Sequence, residues 1–444
     1  MKTSLATAMA GLLATVLVSG CVTYRAQPLP GKPHWVALSG AQHGVPTLTL
    51  PSTTLMALRD NPAYKAVRLQ VGVSAMQLRQ AGLLPDPQFG ASLDRPTSPG
   101  YTNGWSVGLT QDLGSLITHG ATIDAARERL AQTRLEVLWQ GWTLAQKTAA
   151  DYVALWDARQ RVALLSEQVA ALQRQQRALD AALANGDTTR QQQAAALTTL
   201  SQVQAQLSQA RQDQASARLT LDDDIDVAPD VRYRLQPPVA VKLPGPAVID
   251  QALARLPRTR PDLLAFAAAY AAADADFRAA VLAQFPGISV NLNRASDTSA
   301  VLTDGFGITL NLPIFGRSQA AARTARATRD QLYAAYQARL DSADSQARAL
   351  VARLREVQHR SRALEKQLVP LRTLARQATI AFRAGNFSAA EWSSVQNNLI
   401  AREIEALQAR ATLAKGQVAL AALLGRAPRG TPSVQPAAQG SRHP

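Results

Sequence analysis

The sequence predicts a mainly α-helical chain with a small β part, built around a long helical hairpin that occurs twice. Between Thr118 and Asn185 there are 68 residues without a proline, which as one helix would extend about 100 Å at ~1.5 Å per residue. Gly186 ends this rod, and Gly385, 199 residues later, ends a second one. Before each rod, alternating apolar and polar residues predict a pair of β-strands.

Four landmarks recur at this one offset, which indicates an internal duplication. The pairs are Asn61-Pro62 with Arg260-Pro261, Asp86-Pro87 with Phe285-Pro286, Gly108 with Gly307, and Gly186 with Gly385. We therefore expect a first structural repeat over residues 52–226 and a second over residues 247–425. The prolines between 227 and 246 predict an extended linker between the two repeats.

The composition favours long helices with narrow apolar seams over a large globular core, because only 5% of the residues are aromatic. The net charge of +15 arises from 47 Lys and Arg against 32 Asp and Glu, and most of the excess is arginine spread singly along helices. A block of basic residues with interleaved aromatics would indicate nucleic-acid binding, and the sequence has none. We expect solvated helix surfaces and no nucleic-acid partner.

The N-terminus has the pattern of a secretory signal peptide over residues 1–20. Lys2 precedes an uncharged, mostly apolar segment from Leu5 to Val18. Cys21 is the only cysteine, and Val18-Ser19-Gly20-Cys21 resembles a bacterial lipobox, whose cysteine is lipidated and begins the mature chain. Val22 stands where an inner-membrane retention aspartate would occur, so the resemblance points to the outer membrane. Residues 21–51, with five prolines, predict a lipid-anchored extended arm.

After the arm, Ser52 and Thr53 are good helix-capping residues, and we expect a helix from there to about Gly82 with a break at Asn61-Pro62. Four predicted strands then have one apolar face and one small or polar face. Their apolar positions are Phe89, Ala91 and Leu93; Trp105, Val107 and Leu109; Ile288, Val290 and Leu292; and Phe306, Ile308, Leu310 and Leu312.

Four strands cannot close a membrane-spanning barrel with a useful pore. Open strand edges are not tolerated in lipid, because every backbone donor and acceptor there must be paired. Oligomerisation removes the edges. Three chains with four strands each would close a 12-stranded transmembrane barrel, with its apolar residues toward lipid and its small and polar residues toward a watery lumen. Tyr101 and Trp105 would then lie in the interfacial aromatic belt.

The order of these elements resembles the outer membrane efflux protein family, the TolC-like trimeric channels, over residues 52–425. The residues that carry the resemblance are Arg260-Pro261-Asp262-Leu263, Phe285-Pro286-Gly287-Ile288-Ser289, Leu312-Pro313-Ile314-Phe315-Gly316, Phe382-Arg383-Ala384-Gly385-Asn386-Phe387-Ser388 and Leu423-Leu424-Gly425. The resemblance implies a homotrimer with a β-barrel in the outer membrane and an α-helical barrel that crosses the periplasm. It also implies a periplasmic adaptor and an inner-membrane pump as partners, in a tripartite efflux system of the RND type.

The resemblance places the turns at Gly186 and Gly385 at the periplasmic tips. Six residues beyond each glycine stand Gln192 and Glu391, where relatives tend to carry acidic residues near the entrance. Three copies of Glu391 would make an acidic ring, and a solvated tip carboxylate is the alternative that stays open. Phe382 and Gln192 replace a tyrosine and an aspartate that join in gate closure in relatives, so that latch is not expected here.

An enzyme is disfavoured, and no cofactor or metal is expected. The five histidines, His34, His43, His119, His359 and His443, are scattered, and there is no P-loop or nucleophile motif. Asp222-Asp223-Asp224 point in different directions on a helix and indicate a solvated helix end. Residues 426–444 predict a disordered tail.

One alternative function stays open: a lipid-anchored periplasmic adaptor, which would also carry long helical hairpins. Adaptors usually have one hairpin flanked by compact β domains, whereas this chain has two hairpins and little β structure beyond the four strands. The sequence does not select among drugs, metal ions and other small solutes as the transported substrate.

Overall fold

The structure is a computed structural model that describes residues 24–38, 45–238 and 243–426. The chain divides into two units, the first ending at Trp35 and the second beginning at Val36. Residues 24–35 of the first unit contain no helix or strand and are almost entirely exposed. The predicted signal peptide, Cys21 and most of the predicted tail lie outside the described residues.

Helices dominate the second unit, so the mainly α-helical prediction is confirmed. They are α1 (Leu50–Asp60), α2 (Pro62–Ala81), α3 (Gly114–Ala184), α4 (Arg190–Asp224), α5 (Pro246–Ala254), α6 (Leu256–Thr259), α7 (Pro261–Leu282), α8 (Arg317–Arg383) and α9 (Ala389–Leu423). At ~1.5 Å per residue, the 71 residues of α3 extend on the order of 100 Å. No helix of the described chain is long and apolar enough to cross a membrane.

The first helix begins earlier than the sequence predicts. Thr49 is the N-cap residue, and its hydroxyl accepts a hydrogen bond from the backbone N–H of Ser52, while the Ser52 side chain bonds back to Thr49. Ser52 is thus the third residue of a capping box and lies inside the helix. The predicted break is present, because Asn61 caps α2 by accepting a hydrogen bond from Tyr64 N–H at 3.0 Å.

Helix boundaries repeat at the offset that the sequence shows. Ala184 and Arg383 end the two rods, and Arg190 and Ala389 begin the two return helices. The return helices end at Asp224 and Leu423. Asp226 and Gly425 lie two residues beyond these helix ends and have positive φ angles of 57° and 68°. At this position the first copy has an aspartate, and the second copy a glycine, in the left-handed conformation.

The described strands form two sheets. They are β1 (Thr47–Leu48), β2 (Gln88–Asp94), β3 (Gly104–Asp112), β4 (Arg234–Leu235), β5 (Gly287–Ser296) and β6 (Leu302–Asn311). Strands β1 and β4 pair in parallel, so the predicted arm and the predicted linker contact each other in a two-stranded sheet. The four predicted strands pair antiparallel in the order β2-β3-β5-β6.

The helices pack side by side around α3, which contacts α2, α4, α7 and α9 along its length. A core under the linker joins α5, α7, α8 and α9 through Ile249, Leu263, Leu354 and Leu420. In the first copy a corresponding core contains Tyr152, whose hydroxyl lies within hydrogen-bonding distance of two carbonyl oxygens, those of Leu48 at 2.8 Å and Gln236 at 2.7 Å. Tyr152 therefore fastens the linker to the first rod.

The prediction of a solvated helix end at Asp222–Asp224 is wrong for two of its three residues. Asp222 accepts a 2.6 Å hydrogen bond from the Tyr233 hydroxyl, because the linker folds back over the end of α4. Asp224 pairs with Lys147 of α3, and burial raises the pKa of Asp224 to about 6. Both residues are 2% exposed.

A second buried charge cluster begins α7. Arg260, 1% exposed, donates two hydrogen bonds to Asp262, at 2.9 and 2.6 Å, and lies 5.0 Å from the centre of the Trp139 ring. Arg339 of α8 donates to the same carboxylate at 2.7 Å. The two guanidinium groups hold the pKa of Asp262 below its ordinary value against the opposing effect of burial. This cluster ties α7 to both rods.

Close packing of α2 on α3 leaves little room for a side chain at position 141. A Cβ atom there would lie 2.4 Å from the Tyr64 hydroxyl oxygen and 2.9 Å from Cζ, whereas one at Gly120 of the same helix would meet nothing within 4 Å. We expect Gly141→Val to lower the free energy of unfolding by about 1–3 kcal/mol more than Gly120→Val does, through overpacking. Urea unfolding followed by circular dichroism measures the difference.

A double variant tests the cause. If the Tyr64 ring is the obstacle, Gly141→Val should cost less in a Tyr64→Ala background than in the wild type. Equal costs in both backgrounds would contradict the packing argument.

Candidate functional sites: the sheet and the hairpin tips

The four-stranded sheet has one apolar face that is continuous across all strands. Its register places Phe89 opposite Leu109, Leu109 opposite Leu292, and Leu292 opposite Phe306. Successive residues of a strand point to opposite faces, so this row and the neighbouring Val290 and Ile308 share one surface.

This apolar face does not cover a core in the single chain. Phe89 is 72% exposed, Leu292 57%, Phe306 66% and Ile308 60%. Soluble sheets bury such a face against another layer of structure, and a contiguous exposed apolar surface marks a contact with lipid or with another protein. The sheet is therefore the first candidate functional surface.

The opposite face carries small and polar residues that fit together closely. A Cβ atom added to Gly305 would lie 2.2 Å from Oδ1 of Asn293, and one added to Gly307 would lie 2.3 Å from Oδ1 of Asn291. Ser92 and Ser106 form a 2.9 Å hydrogen bond on the same face. The asparagine side chains lie over the glycines of the next strand, so this face of the sheet is polar.

Both hairpins reverse through a glycine with a positive φ angle. Gly186 has φ 79° and Gly385 has φ 76°, values in the left-handed region that residues with a side chain rarely adopt. The N–H of the next residue donates to a carbonyl oxygen five residues back in each hairpin, Asp187 to Ala182 and Asn386 to Ala381. The two tips thus have the same backbone design.

Capping boxes start both return helices and engage the two predicted entrance residues. The N–H of Gln192 donates to the Thr189 hydroxyl, and the N–H of Glu391 to the Ser388 hydroxyl, each at 3.2 Å. The Glu391 carboxylate accepts hydrogen bonds from the Ser388 hydroxyl and N–H, which lower the pKa of Glu391 although its side chain is exposed. Each side chain is bonded within its own turn, and the structure does not bring Gln192 and Glu391 together.

The sequence analysis missed a difference in how the two tips are fastened. In the second hairpin, Phe382 stacks on Trp392 with ring centres 5.3 Å apart and planes 20° apart. Trp392 also donates from Nε1 to the Thr379 hydroxyl at 3.1 Å. In the first hairpin the residue equivalent to Trp392 is Gln193, which donates to Asp180 at 2.6 Å. The signal that would have revealed the stack is the presence of one aromatic residue on each helix close to the tip glycine.

Side chains also join the two hairpins of the chain. The amide nitrogen of Gln168 on α3 donates to Oδ1 of Asn397 on α9 at 2.6 Å, and Gln168 is 6% exposed. Farther from the tips, burial raises the pKa of the Asp157 carboxylate on α3, and the positive charges of Arg161 and of Lys415 on α9 oppose this rise. Within the described residues no cluster of His, Cys, Asp and Glu could hold a metal ion.

Comparison with known proteins gives a family match over part of the chain and a fold over nearly all of it. Residues 248–426 match the family model described as outer membrane efflux protein. A membrane protein from Pseudomonas aeruginosa is 21% identical with a TM-score of 0.75, and the match covers 93% of this chain and 99% of that one. CusC is 19% identical with a TM-score of 0.72, and the match covers 92% of this chain and 99% of that one. The open state of the Neisseria gonorrhoeae MtrE outer membrane channel is 20% identical with a TM-score of 0.72, and the match covers 86% of this chain and 91% of that one. The curated protein sequences gave no match.

The chain therefore has the fold of outer-membrane channel proteins along nearly all of its length. The predicted resemblance to the outer membrane efflux protein family is confirmed, with residues 248–426 as the matched segment.

The capping boxes give a prediction with a control inside the same molecule. Ser388→Ala should speed amide hydrogen exchange in residues 389–393 by about five- to thirty-fold, corresponding to about 1–2 kcal/mol of local stability. Ser394→Ala, at an exposed position in the helix, should leave this exchange unchanged. Hydrogen exchange followed by mass spectrometry measures both.

The same boxes should differ in their response to acid. A lowered pKa means that the Glu391 bonds contribute fully above the ordinary pKa of about 4.3 and are lost as the pH falls through the lowered value. Exchange relative to the intrinsic rate should then rise in residues 389–393 but not in 190–194, because Gln192 does not titrate. An equal rise at both tips would contradict this role of Glu391.

Proposed function

We propose that this protein is the outer-membrane channel of a tripartite efflux system, a passive exit duct for small molecules such as drugs or metal ions. The observation that carries the proposal is the open four-stranded sheet with an exposed apolar face, held at one end of long helical hairpins. The family match of residues 248–426 supports it.

The sheet favours a trimer. Strands β2 and β6 each pair on one side only, and an unpaired backbone group in hydrocarbon costs several kcal/mol. If β6 of one chain pairs with β2 of the next, three chains close a 12-stranded barrel with no free edge. Strands β3, β5 and β6 have 9 or 10 residues, close to the ~9–11 that a tilted strand needs to cross a bilayer.

The helical hairpins would then extend away from the membrane as a tunnel through the periplasm. Gly186 and Gly385 would lie at its far end, where the six tips of a trimer meet an adaptor protein and, through it, an inner-membrane pump of the RND type. The duct itself performs no chemistry and needs no cofactor, so the energy comes from the pump. Three Glu391 carboxylates, kept ionised by their capping bonds, would give the entrance a negative charge that influences ion passage.

The alternative, a lipid-anchored periplasmic adaptor, leaves the exposed apolar sheet without a partner. The comparison with outer-membrane channels of the same fold also favours the duct.

Anchoring through Cys21 is part of the proposal, although this residue lies outside the described residues. Acyl chains contribute about 0.8 kcal/mol per buried methylene, so the lipid would assist a barrel that already holds the protein in the membrane. We expect Cys21→Ser to abolish incorporation of labelled palmitate in cells while trimers still form. Persistent labelling of the variant would contradict lipidation at this residue.

Neighbouring residues on opposite faces of β5 test the duct. Wild-type protein from outer-membrane fractions should run as a heat-modifiable trimer and conduct ions in planar bilayers. Leu292→Lys should prevent assembly, since a lysine facing the bilayer midplane costs about 2–4 kcal/mol. Asn293→Lys, on the polar face, should assemble and shift ion selectivity toward anions.

The reverse pattern, with Asn293→Lys unassembled and Leu292→Lys conducting, would mean that the faces are assigned wrongly. A wild-type protein that is soluble without its lipid and does not conduct would favour the adaptor.

A further inference from the structure

A groove of about 350 Å³ lies along α7 between the two rods. Helix α7 packs against both α3 and α8 of the same chain, so the groove is complete without a second copy. Its lining includes Ala265 and Ala269 of α7, which are 5% and 8% exposed. These small side chains leave room between the larger residues on either side. The volume lies at the lower end of the range for small-molecule sites, which is about 300–1,000 Å³.

Large apolar side chains enter the groove from each of its three helices. Trp139 of α3, Phe266 of α7 and Leu332 of α8 line it and are all half-buried. Each therefore keeps part of its surface free for a further contact. Aromatic rings in a concave site stack well on a planar ligand, because stacking adds to the burial of apolar area. The groove thus has the lining of a site for a flat, apolar group.

Two arginines hold the ring of Trp139 in place. Cζ of Arg260 lies 5.0 Å from the ring centre, and Cζ of Arg339 lies 5.9 Å from it. Both guanidinium groups donate to the carboxylate of Asp262, at 2.9 and 2.6 Å from Arg260 and at 2.7 Å from Arg339. Since these charged groups are bonded to one another, the indole ring is positioned before a ligand arrives. Such preorganisation lowers the entropic cost of binding.

Glu136 gives the groove a charge that no neighbour offsets. Of the three charged residues that line the groove, Asp262 and Arg339 form an ion pair with each other. The Glu136 carboxylate accepts a 2.8 Å hydrogen bond from the neutral amide of Gln132 and forms no ion pair within the described part of the chain. It lies three residues before Trp139, on the same face of α3. A positively charged group is the partner that such a carboxylate binds best.

The internal duplication shows that a rod does not need these two side chains to form. Adding the offset of 199 residues to Glu136 and Trp139 gives Ala335 and Ala338 of α8. The second rod thus continues as a helix with only a methyl group at both positions. The acidic and aromatic lining therefore belongs to this groove and is not a feature of the repeat.

We propose that this groove binds a small aromatic molecule that carries a positive charge. Its planar part stacks on Trp139 and Phe266, and its charged group lies beside Glu136. An aromatic anion is disfavoured, because Glu136 would repel it and Arg339 is already paired with Asp262. The proposal goes beyond the passive duct, which needs no binding site, and does not depend on it.

Equilibrium dialysis tests the chemistry of the ligand. Full-length protein in a non-ionic detergent is dialysed against proflavine, a planar aromatic cation, and separately against fluorescein, a planar aromatic anion, with detergent alone as the blank. We expect saturable binding of proflavine. Glu136→Gln should raise its Kd about threefold or more through loss of the charge-assisted contact, and Phe266→Leu by a similar factor through loss of stacking. Glu167→Gln, at an exposed position of α3 outside the groove, should leave the Kd within about twofold.

Cysteine protection locates the bound molecule. Gln140 lines the groove and is exposed, whereas Glu167 is exposed elsewhere on the same helix. Saturating proflavine should slow the reaction of Gln140→Cys with a water-soluble maleimide severalfold, measured above the background of the protein without the added cysteine. Glu167→Cys should react equally fast with and without proflavine. Protection of both cysteines, or of neither, would contradict binding in this groove.

Three results of the dialysis would overturn the proposal: no saturable binding of proflavine, the same Kd for Glu136→Gln as for the wild type, or tighter binding of fluorescein. The last would mean that Arg339 receives an anion. Circular dichroism checks the fold of each variant, and if Phe266→Leu loses its helical signal, the protection of Gln140→Cys decides the location. Neither measurement needs ion conduction, so a wild type that conducts no ions would refute the duct and leave the binding site to these results.

Discussion

The pairing of backbone groups at the edges of the four-stranded sheet is the constraint on which the rest of the protein depends. Strands β2 and β6 present unpaired edges, and the apolar face between them lies exposed in the single chain. Neither feature is stable in isolation, because the apolar face favours a lipid environment and lipid does not tolerate open edges. Both problems would be solved if copies of the chain joined edge to edge, which is the reason for proposing a trimeric barrel.

The helical part of the protein is long and has no large globular core. Rods of 71 and 67 residues each pack along their length against neighbouring helices, so stability comes from narrow seams in which small residues permit close approach. Gly141 against Tyr64 is one such place. The polar clusters at Asp222, Asp224 and Asp262 lie where linkers and helix ends meet the rods, and there they fix the start of one element against the side of another.

Duplication makes the two halves alike in backbone and different in chemistry. Both tips turn through a glycine and a capping box, yet one is fastened by stacked aromatic rings and the other by an amide and a carboxylate. A similar contrast separates the return helices. Ile404 of α9 packs against the core of the first hairpin, whereas the equivalent residue of α4, Ala205, is exposed. Equivalent positions of the two copies therefore have different surroundings in the single chain.

The sequence by itself determined the features that depend on local conformation and periodicity: the four strands and their apolar faces, the rods, the tip glycines and the offset of 199 residues between copies. It did not determine that Ser52 lies inside the first helix, because Ser52 and Thr49 can both act as caps and the chain context decides between them. Nor did it place Asp222 and Asp224 in the interior. Their burial depends on Tyr233, which lies in the irregular linker, and on Lys147, which is distant in sequence. Only the tertiary structure paired Phe382 with Trp392 and Gln168 with Asn397. Such contacts depend on which helices lie side by side, whereas helical periodicity defines the apolar face of a helix and not the residue that packs against it.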